Sequence, residues 1–432
     1  MNKPLCVVSC PLDTYSGYGA RARDFVKALI KAKPDWDVKI LSQRWGNTRF
    51  GYLKDHNETE LSIRIIPQMT IQPDYWFQIT IPNEFQPVGK VYNCGVTAGI
   101  ETTACDASWI EGVNRMNMTL VSSEHAKKVF IESKFEKKDQ SGVTVGVLQL
   151  EKPVEILFEG VDLEKYFYID PKDYPKTDLT EELNQVEEKF AFLFVGHWLQ
   201  GVLGEDRKNV PYMIKSFLLA FKNKPNKPAL ILKTSAATSC IMDREDILAK
   251  IDGVRNSLGQ GDYPNVYLLH GDLEDKDINL LYNHPKIKAM VSLTKGEGFG
   301  RPLLEFTQSK KIVAASDWSG HKDFLDPKFS YLIPGEIKQV HPSAVVQNMI
   351  LAESGWFSPN ETEVNKMWLD LYKNIRDYEA PAKRQGHKSK TEFSFEAMTE
   401  ALKNIIEKKF DKPKELKLPE LKKIELPKLN KI

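Results

Sequence analysis

Short apolar runs alternate with longer amphipathic segments along this chain, and they do so in two successive series. Nothing else in the sequence restricts the fold as much. In the first series, 4–9, 37–42, 75–80, 90–94 and 118–122 have the length and the β-branched or aromatic content of strands, while 20–32 and 124–132 carry helical periodicity. In the second, 190–195, 229–233, 266–270, 289–294 and 311–315 read as strands and 212–221 as a helix. Strands joined by helical crossovers pair in parallel, and the helices cover both faces of the resulting sheet. The fold class expected is therefore α/β, with two consecutive doubly wound parallel-sheet domains. In such sheets a ligand lies at the C-terminal ends of the strands.

The expected boundaries are 1–168 for the first domain and 190–378 for the second. Between them, 169–189 is charged, carries Pro171 and Pro175, and lacks apolar periodicity, so it reads as a linker or surface helix. Helical patterns at 343–352, 361–376 and 395–410 close the body. A chain of 432 residues suffices for two cores. From 408 onward lysines outnumber acids nine to four and a Leu-Pro repeat appears, at Leu418-Pro419 and Leu426-Pro427. Proline at that spacing excludes a long helix, leaving 411–432 as an extended basic tail that contacts nucleic acid, contacts a protein partner or is solvated.

A net charge of +1 provides no global attraction to nucleic acid or anionic membrane. Five scattered cysteines give neither a disulfide framework nor a zinc site. No signal-peptide layout and no apolar run of membrane-spanning length is seen, so the expectation is a soluble cytoplasmic protein without a membrane span.

The chemistry concentrates in Lys295-Gly-Glu-Gly-Phe-Gly-Arg-Pro-Leu-Leu-Glu305. A strand precedes it, glycines at 296, 298 and 300 forbid regular structure, and Pro302 opens a helix. Amides at a helix start attract phosphate, and glycines let a ligand approach the backbone. The carboxylates of Glu297 and Glu305 would repel phosphate but accept hydrogen bonds from sugar hydroxyls. Phosphate and sugar together suggest a nucleotide sugar. The plainer alternative is a glycine turn carrying two surface glutamates.

This stretch resembles the Glu-x7-Glu motif of retaining GT-B glycosyltransferases. The resemblance implies two Rossmann-like domains facing a central cleft that holds the ligand, the first on the acceptor side and the second binding the nucleotide sugar, with the helix of 379–410 crossing back onto the first domain. It also implies a hexose donor such as UDP-glucose, catalysis without a metal and no cofactor beyond the nucleotide-sugar substrate. Carried over residue by residue, Glu297 orients the sugar and Glu305 the nucleotide ribose. The backbone of Gly298, Phe299, Gly300, Arg301, Pro302 and Leu303 holds the diphosphate, and the Arg301 amide matters more there than its guanidinium. Lys208 matches the family's basic pair. Arg207 either stands in for an arginine that His197 replaces after Gly196 or has no role. Gly17 and Gly19 resemble the loop that packs on donor phosphate across the cleft, with Arg21 as a further contact. Glu101 and Thr102 occupy the place of a cleft-facing dipeptide, and His125 is either a cleft residue near the acceptor or a helix-capping, structural one. The segment 316–323 stands where the family contacts ribose.

The expected acceptor is a saccharide. The compact motifs and the tail also resemble tailed-phage proteins, which leaves a second reading, a phage DNA glycosyltransferase acting on hydroxymethylated pyrimidines in the host cytoplasm. A non-catalytic GT-B-like binding protein is the third. Gly17-x-Gly19-x-x-Ala22 also fits a dinucleotide fingerprint with Asp35 or Asp37 as ribose carboxylate, but the glycines stand too far from the strand for that tight turn.

Overall fold

The computed structural model describes residues 3–198, 205–236 and 238–410. The basic tail of 411–432 and part of the 198–206 loop lie outside them. The first half contains β1 (Leu5–Cys10), β2 (Asp37–Ser42), β3 (Tyr75–Ile79), β4 (Tyr92–Val96), β5 (Met118–Val121), the hairpin strands β6 (Phe135–Lys138) and β7 (Thr144–Leu148), and β8 (Val154–Ile156). The second contains β9 (Ala191–Val195), β10 (Ala229–Lys233), β11 (Val266–Leu269), β12 (Ile287–Ser292), β13 (Ile312–Ser316), β14 (Tyr331–Ile333), and the hairpin strands β15 (Gly335–Gln339) and β16 (Gly355–Pro359). Two six-stranded sheets result, ordered β2-β1-β3-β4-β5-β8 and β11-β10-β9-β12-β13-β14. Every pairing within them is parallel.

Period-two alternation divides each strand between two helix layers. In β9, Phe192 and Phe194 pack with Phe217 and Trp368 on one face, while Ala191 and Leu193 pack with Leu304 and Phe306 on the other. In the first sheet, Phe77 joins Phe25 and Leu29 of helix Gly17–Ala32, and Trp76 joins Ile110 and Phe130.

The crossing helix is present but shorter than expected. Helix Glu379–Glu392 stays with the second half, where Ala382 is part of its core. The chain crosses at Val161, whose amide and carbonyl bond to Phe393 and Phe395 at 2.9 Å each. Helix Phe395–Lys409 then buries Met398, Leu402 and Ile406 in the first core, and Phe410 stacks on Tyr92 at 3.8 Å.

One other expectation is corrected. The segment 343–352 is not helical. It connects β15 to β16, with a short 3-10 turn at Pro342–Ala344. Of the two alternatives for 169–189, linker or surface helix, the structure has helix Asp178–Asn184, with Leu183 and Val186 inserted into a core. No described helix is long and apolar enough to cross a membrane.

Candidate active site

Backbone hydrogen bonds join the loops after β9 and β12 before any charged side chain is considered. Asp206 accepts from the amides of Lys208 at 3.1 Å and Val210 at 2.8 Å, closing the start of helix Val210–Phe221. Asn209, left-handed at φ 60°, donates to the Leu293 carbonyl at 3.0 Å. The Lys295 amide donates to the Arg207 carbonyl at 2.9 Å. Side chains 89 residues apart in sequence therefore meet. Lys208 Nζ lies 2.6 and 2.8 Å from the two carboxylate oxygens of Glu297. Arg207 donates to the Gly296 carbonyl at 2.7 Å and lies 3.6 Å from Glu297 and 3.5 Å from Glu101. Burial alone would raise the Glu297 carboxyl, but Lys208 and Arg207 outweigh it and bring it down to about 2.

Glycine serves a different purpose here from the one expected. A Cβ on Gly296 would lie 2.0 Å from the Glu101 carbonyl oxygen, and one on Gly298 would lie 2.7 Å from that of Ala98. What these two glycines admit is the backbone of the other half. Ser122 Oγ donates to the Ala98 and Gly298 carbonyls at 2.5 and 3.0 Å, fastening that approach. Gly300, at φ +95°, is required by its left-handed conformation at the start of helix Arg301–Thr307. Pro302 lacks an N–H, and the Leu303 amide is taken by the Gly300 carbonyl at 3.0 Å, so the stretch able to hold phosphate narrows to 298–301.

The Arg301 guanidinium, passed over in favour of the amide, bridges the halves. It lies 2.8 Å from Glu305 and 2.5 Å from Asp24 on helix Gly17–Ala32. Tyr282 donates to the other Glu305 oxygen at 3.3 Å. Burial raises the Glu305 carboxyl to about 7, with Arg301 opposing. The two motif glutamates thus differ sharply in protonation behaviour.

The remaining expected residues divide. Glu101 reaches the site through Arg207. Thr102 does not, because it is buried and donates to the Ala104 carbonyl at 3.0 Å. Gly17 has nothing within 4 Å of its would-be Cβ, whereas a Cβ on Gly19 would lie 2.3 Å from the Thr14 carbonyl oxygen. Arg21 is buried and donates to the carbonyls of Leu157 and Phe158, a packing role. Phe299 and Leu303 belong to a hydrophobic core. His125 stands edge-on to Trp318 at 4.6 Å, and burial lowers its imidazole to about 4, so it is neutral near pH 7. In the segment 316–323, Ser319 accepts from the Glu297 amide at 2.9 Å and Asp323 accepts from the Glu124 amide at 2.9 Å. Sequence reasoning missed Asp24 and Asp206. Asp206 had a legible signal as an acid shortly before a proline-led helix, while Asp24 had none.

No family model matches the chain, and no curated protein sequence matches it. Solved structures do. HepE of Anabaena, in complex with UDP and glucose, is similar with 12% identity over 94% of this chain and 100% of that one, at a TM-score of 0.61. Sucrose-phosphate synthase of Thermosynechococcus elongatus shares 11% identity over 94% of this chain and 98% of its own, at 0.60. A glycosyltransferase of Rickettsia africae shares 12% identity over 96% and 100%, at 0.62. The likeness is one of fold, and that fold is GT-B.

Proposed function

We propose that this chain is a retaining glycosyltransferase that moves a hexose from UDP-glucose or a related nucleotide sugar to a saccharide hydroxyl. The observation that carries the reading is the pairing of Lys208 with Glu297 at 2.6 Å, at the ends of two adjacent parallel strands and against the other half of the molecule. Neighbours of the same fold solved with UDP and with UDP-glucose support a uridine donor.

On this reading the donor lies across the C-terminal ends of β9 and β12. Breaking the bond from the anomeric carbon to the diphosphate oxygen leaves negative charge on the diphosphate. Lys208, Arg207 and the amides of 298–301 face that charge, and each well-placed donor contributes about 3–4 kcal/mol to the transition state. The acceptor oxygen bonds to the anomeric carbon on the face the diphosphate leaves, and a diphosphate oxygen takes the acceptor's proton. Glu297, ionised at every working pH, accepts from the sugar hydroxyls, and Glu305 accepts from the ribose.

The test is a panel of radiolabelled UDP- and GDP-hexoses, incubated with saccharide acceptors and with hydroxymethylcytosine DNA, together with calorimetry against UDP, GDP, ADP and TDP. Label in a saccharide and heat from UDP are expected. Absence of heat from every nucleotide would refute the reading, and label in DNA would replace its acceptor.

A further inference from the structure

A cavity of about 750 Å³ borders the same two loops from within the second half, its lining running from Asn209 to Glu361. That volume is in the range of small-molecule sites. Lys295 and Trp356, both buried, lie at its base, with the Lys295 ammonium 4.1 Å from the centre of the Trp356 ring. Tyr212 and Lys215 on helix Val210–Phe221 form one wall. Lys338 of β15 and His341 beyond it form another.

The lining therefore holds three lysines and a histidine against one carboxylate, Glu361. Three further acids stand nearby: Glu336 on exposed Lys338 at 3.0 Å, Glu205 at 3.9 Å from His341, and buried Asp206, the last two also acting on Lys295. The exposed Glu336–Lys338 pair holds its partner weakly. Lysine ammonium groups bind phosphate as point charges, and aromatic rings offer a flat face to the C–H side of a sugar.

We propose that this cavity is a second ligand site, separate from the interdomain cleft, for a small sugar phosphate. Lys295 and Lys215 meet the phosphate, and the sugar lies against Trp356 and Tyr212. Burial brings the Lys295 ammonium down to about 8, with Asp206 and Glu205 opposing, so an arriving dianion strengthens its charged form. The site is coupled to the proposed reaction through the backbone. The Lys295 amide donates to Arg207 and its carbonyl accepts from Phe357, each at 2.9 Å, so a displacement of Lys295 is felt at Arg207 and at Glu297 two residues on. The coupling rests on the proposed function. The binding does not.

Calorimetry at pH 7 with glucose 6-phosphate, inorganic phosphate and glucose as separate arms tests the site, repeated under saturating UDP. Glucose 6-phosphate is expected to give saturable heat that UDP leaves in place, phosphate weaker heat, and glucose none at the same concentrations. Lys295→Met and Lys215→Met are each expected to weaken glucose 6-phosphate by about tenfold or more, with UDP binding retained. If Lys295→Met does not fold, Lys215→Met, on a partly exposed helix face, carries the comparison alone. No heat from glucose 6-phosphate, heat abolished by UDP, or heat unchanged in a folded variant overturns the site. In the transfer assay, a donor KM changed by glucose 6-phosphate supports the coupling, and an unchanged KM and kcat overturn it. Label on the phosphorylated sugar places it at the reacting carbon in the cleft and overturns the separate site. Heat from glucose 6-phosphate with none from any nucleotide keeps the site and refutes the proposed donor.

Discussion

Glycine-to-alanine substitutions in the loop after β12 should separate the two halves by graded amounts, and the structure sets the gradation. An ordinary carbon–oxygen contact is about 3.3 Å. The Gly298→Ala methyl would start 2.7 Å from the Ala98 carbonyl oxygen, so roughly half an ångström of movement relieves it. The Gly296→Ala methyl would start 2.0 Å from the Glu101 oxygen and 3.0 Å from the Trp318 ring, so more than an ångström is needed. The loop is bonded to its own half through Lys295, which leaves the contact between halves to yield. That contact carries Ser122 Oγ on the Gly298 carbonyl at 3.0 Å and Arg207 Nη1 at 3.5 Å from Glu101. Overpacking costs about 1–3 kcal/mol, and Gly298→Ala belongs near the lower figure and Gly296→Ala near the upper. If UDP binds only the closed arrangement, the dissociation constants rise by about fivefold and about 100-fold. Calorimetry with UDP measures this, and small-angle scattering reports the opening. Gly17→Ala, whose methyl meets nothing within 4 Å, is the control for scattering. Equal effects of the two substitutions, or Gly296→Ala with unchanged affinity and radius of gyration, would refute the reasoning.

On the proposed function, Lys208→Met should lower kcat by about 10²- to 10³-fold with the fold intact by circular dichroism, because it removes the cation assigned to the leaving diphosphate. Glu305 gives a pH signature. Its folded-state carboxyl, near 7 against an ordinary 4.5, keeps a proton that the unfolded chain has released. Its contribution to stability is therefore fully present below about 4.5 and lost as pH rises through about 7. UDP affinity should run the other way, strengthening over the same interval as the carboxylate becomes available to ribose. Glu305→Gln should flatten both profiles in urea titrations and calorimetry, and a wild-type-like slope in the variant would exclude this assignment. Leu402→Ala, fully buried on the crossing helix, should destabilise the first half by about 2–5 kcal/mol in thermal unfolding, although it lies far along the chain from the strands it covers.

What the sequence displayed was local. A strand, a glycine-bearing loop and a proline-led helix lie within a dozen residues, so the surroundings of Glu297 were legible, as were those of Lys208 before Pro211. Period two in β9 and period 3.6 in Gly17–Ala32 gave the two layered sheets for the same reason. What long-range packing decides stayed hidden. Arg301 and Asp24 are 277 residues apart, and nothing near either marks the pair. The glycines advertised closeness without naming the partner, which is the Ala98–Glu101 backbone. The stretch 343–352 misled because Val345, Val346, Met349 and Ile350 have helical spacing. In the fold, Val346 and Ile350 face each other in an antiparallel bridge between the arms of the β15–β16 connection. Exposed apolar residues on such a connection mimic an amphipathic face, and only the paired strands on either side separate the two cases.

The pairings at the site bear on how a transfer of this kind would be catalysed. Glu297 and Glu305 are both buried and both matched with a cation, yet one carboxyl is lowered to about 2 and the other raised to about 7. The difference follows from the number and placement of the cations and from Asp275 and Asp24, which push the Glu305 carboxyl up. Glu297 has Lys208 on both oxygens and Arg207 at 3.6 Å, while Glu305 has one guanidinium on a single oxygen, and that guanidinium is shared with Asp24. A lysine held this way is already stripped of most of its water, so turning it toward a diphosphate exchanges one anion for another without a hydration shell to dismantle. Preorganised charge of this sort lowers a barrier because little reorientation remains when the bond breaks. The same exchange frees the Glu297 oxygens for sugar hydroxyls at the moment the donor arrives. Under the proposed function, then, the ion pair in the free protein holds lysine and carboxylate in register until a nucleotide sugar takes one of them on each side.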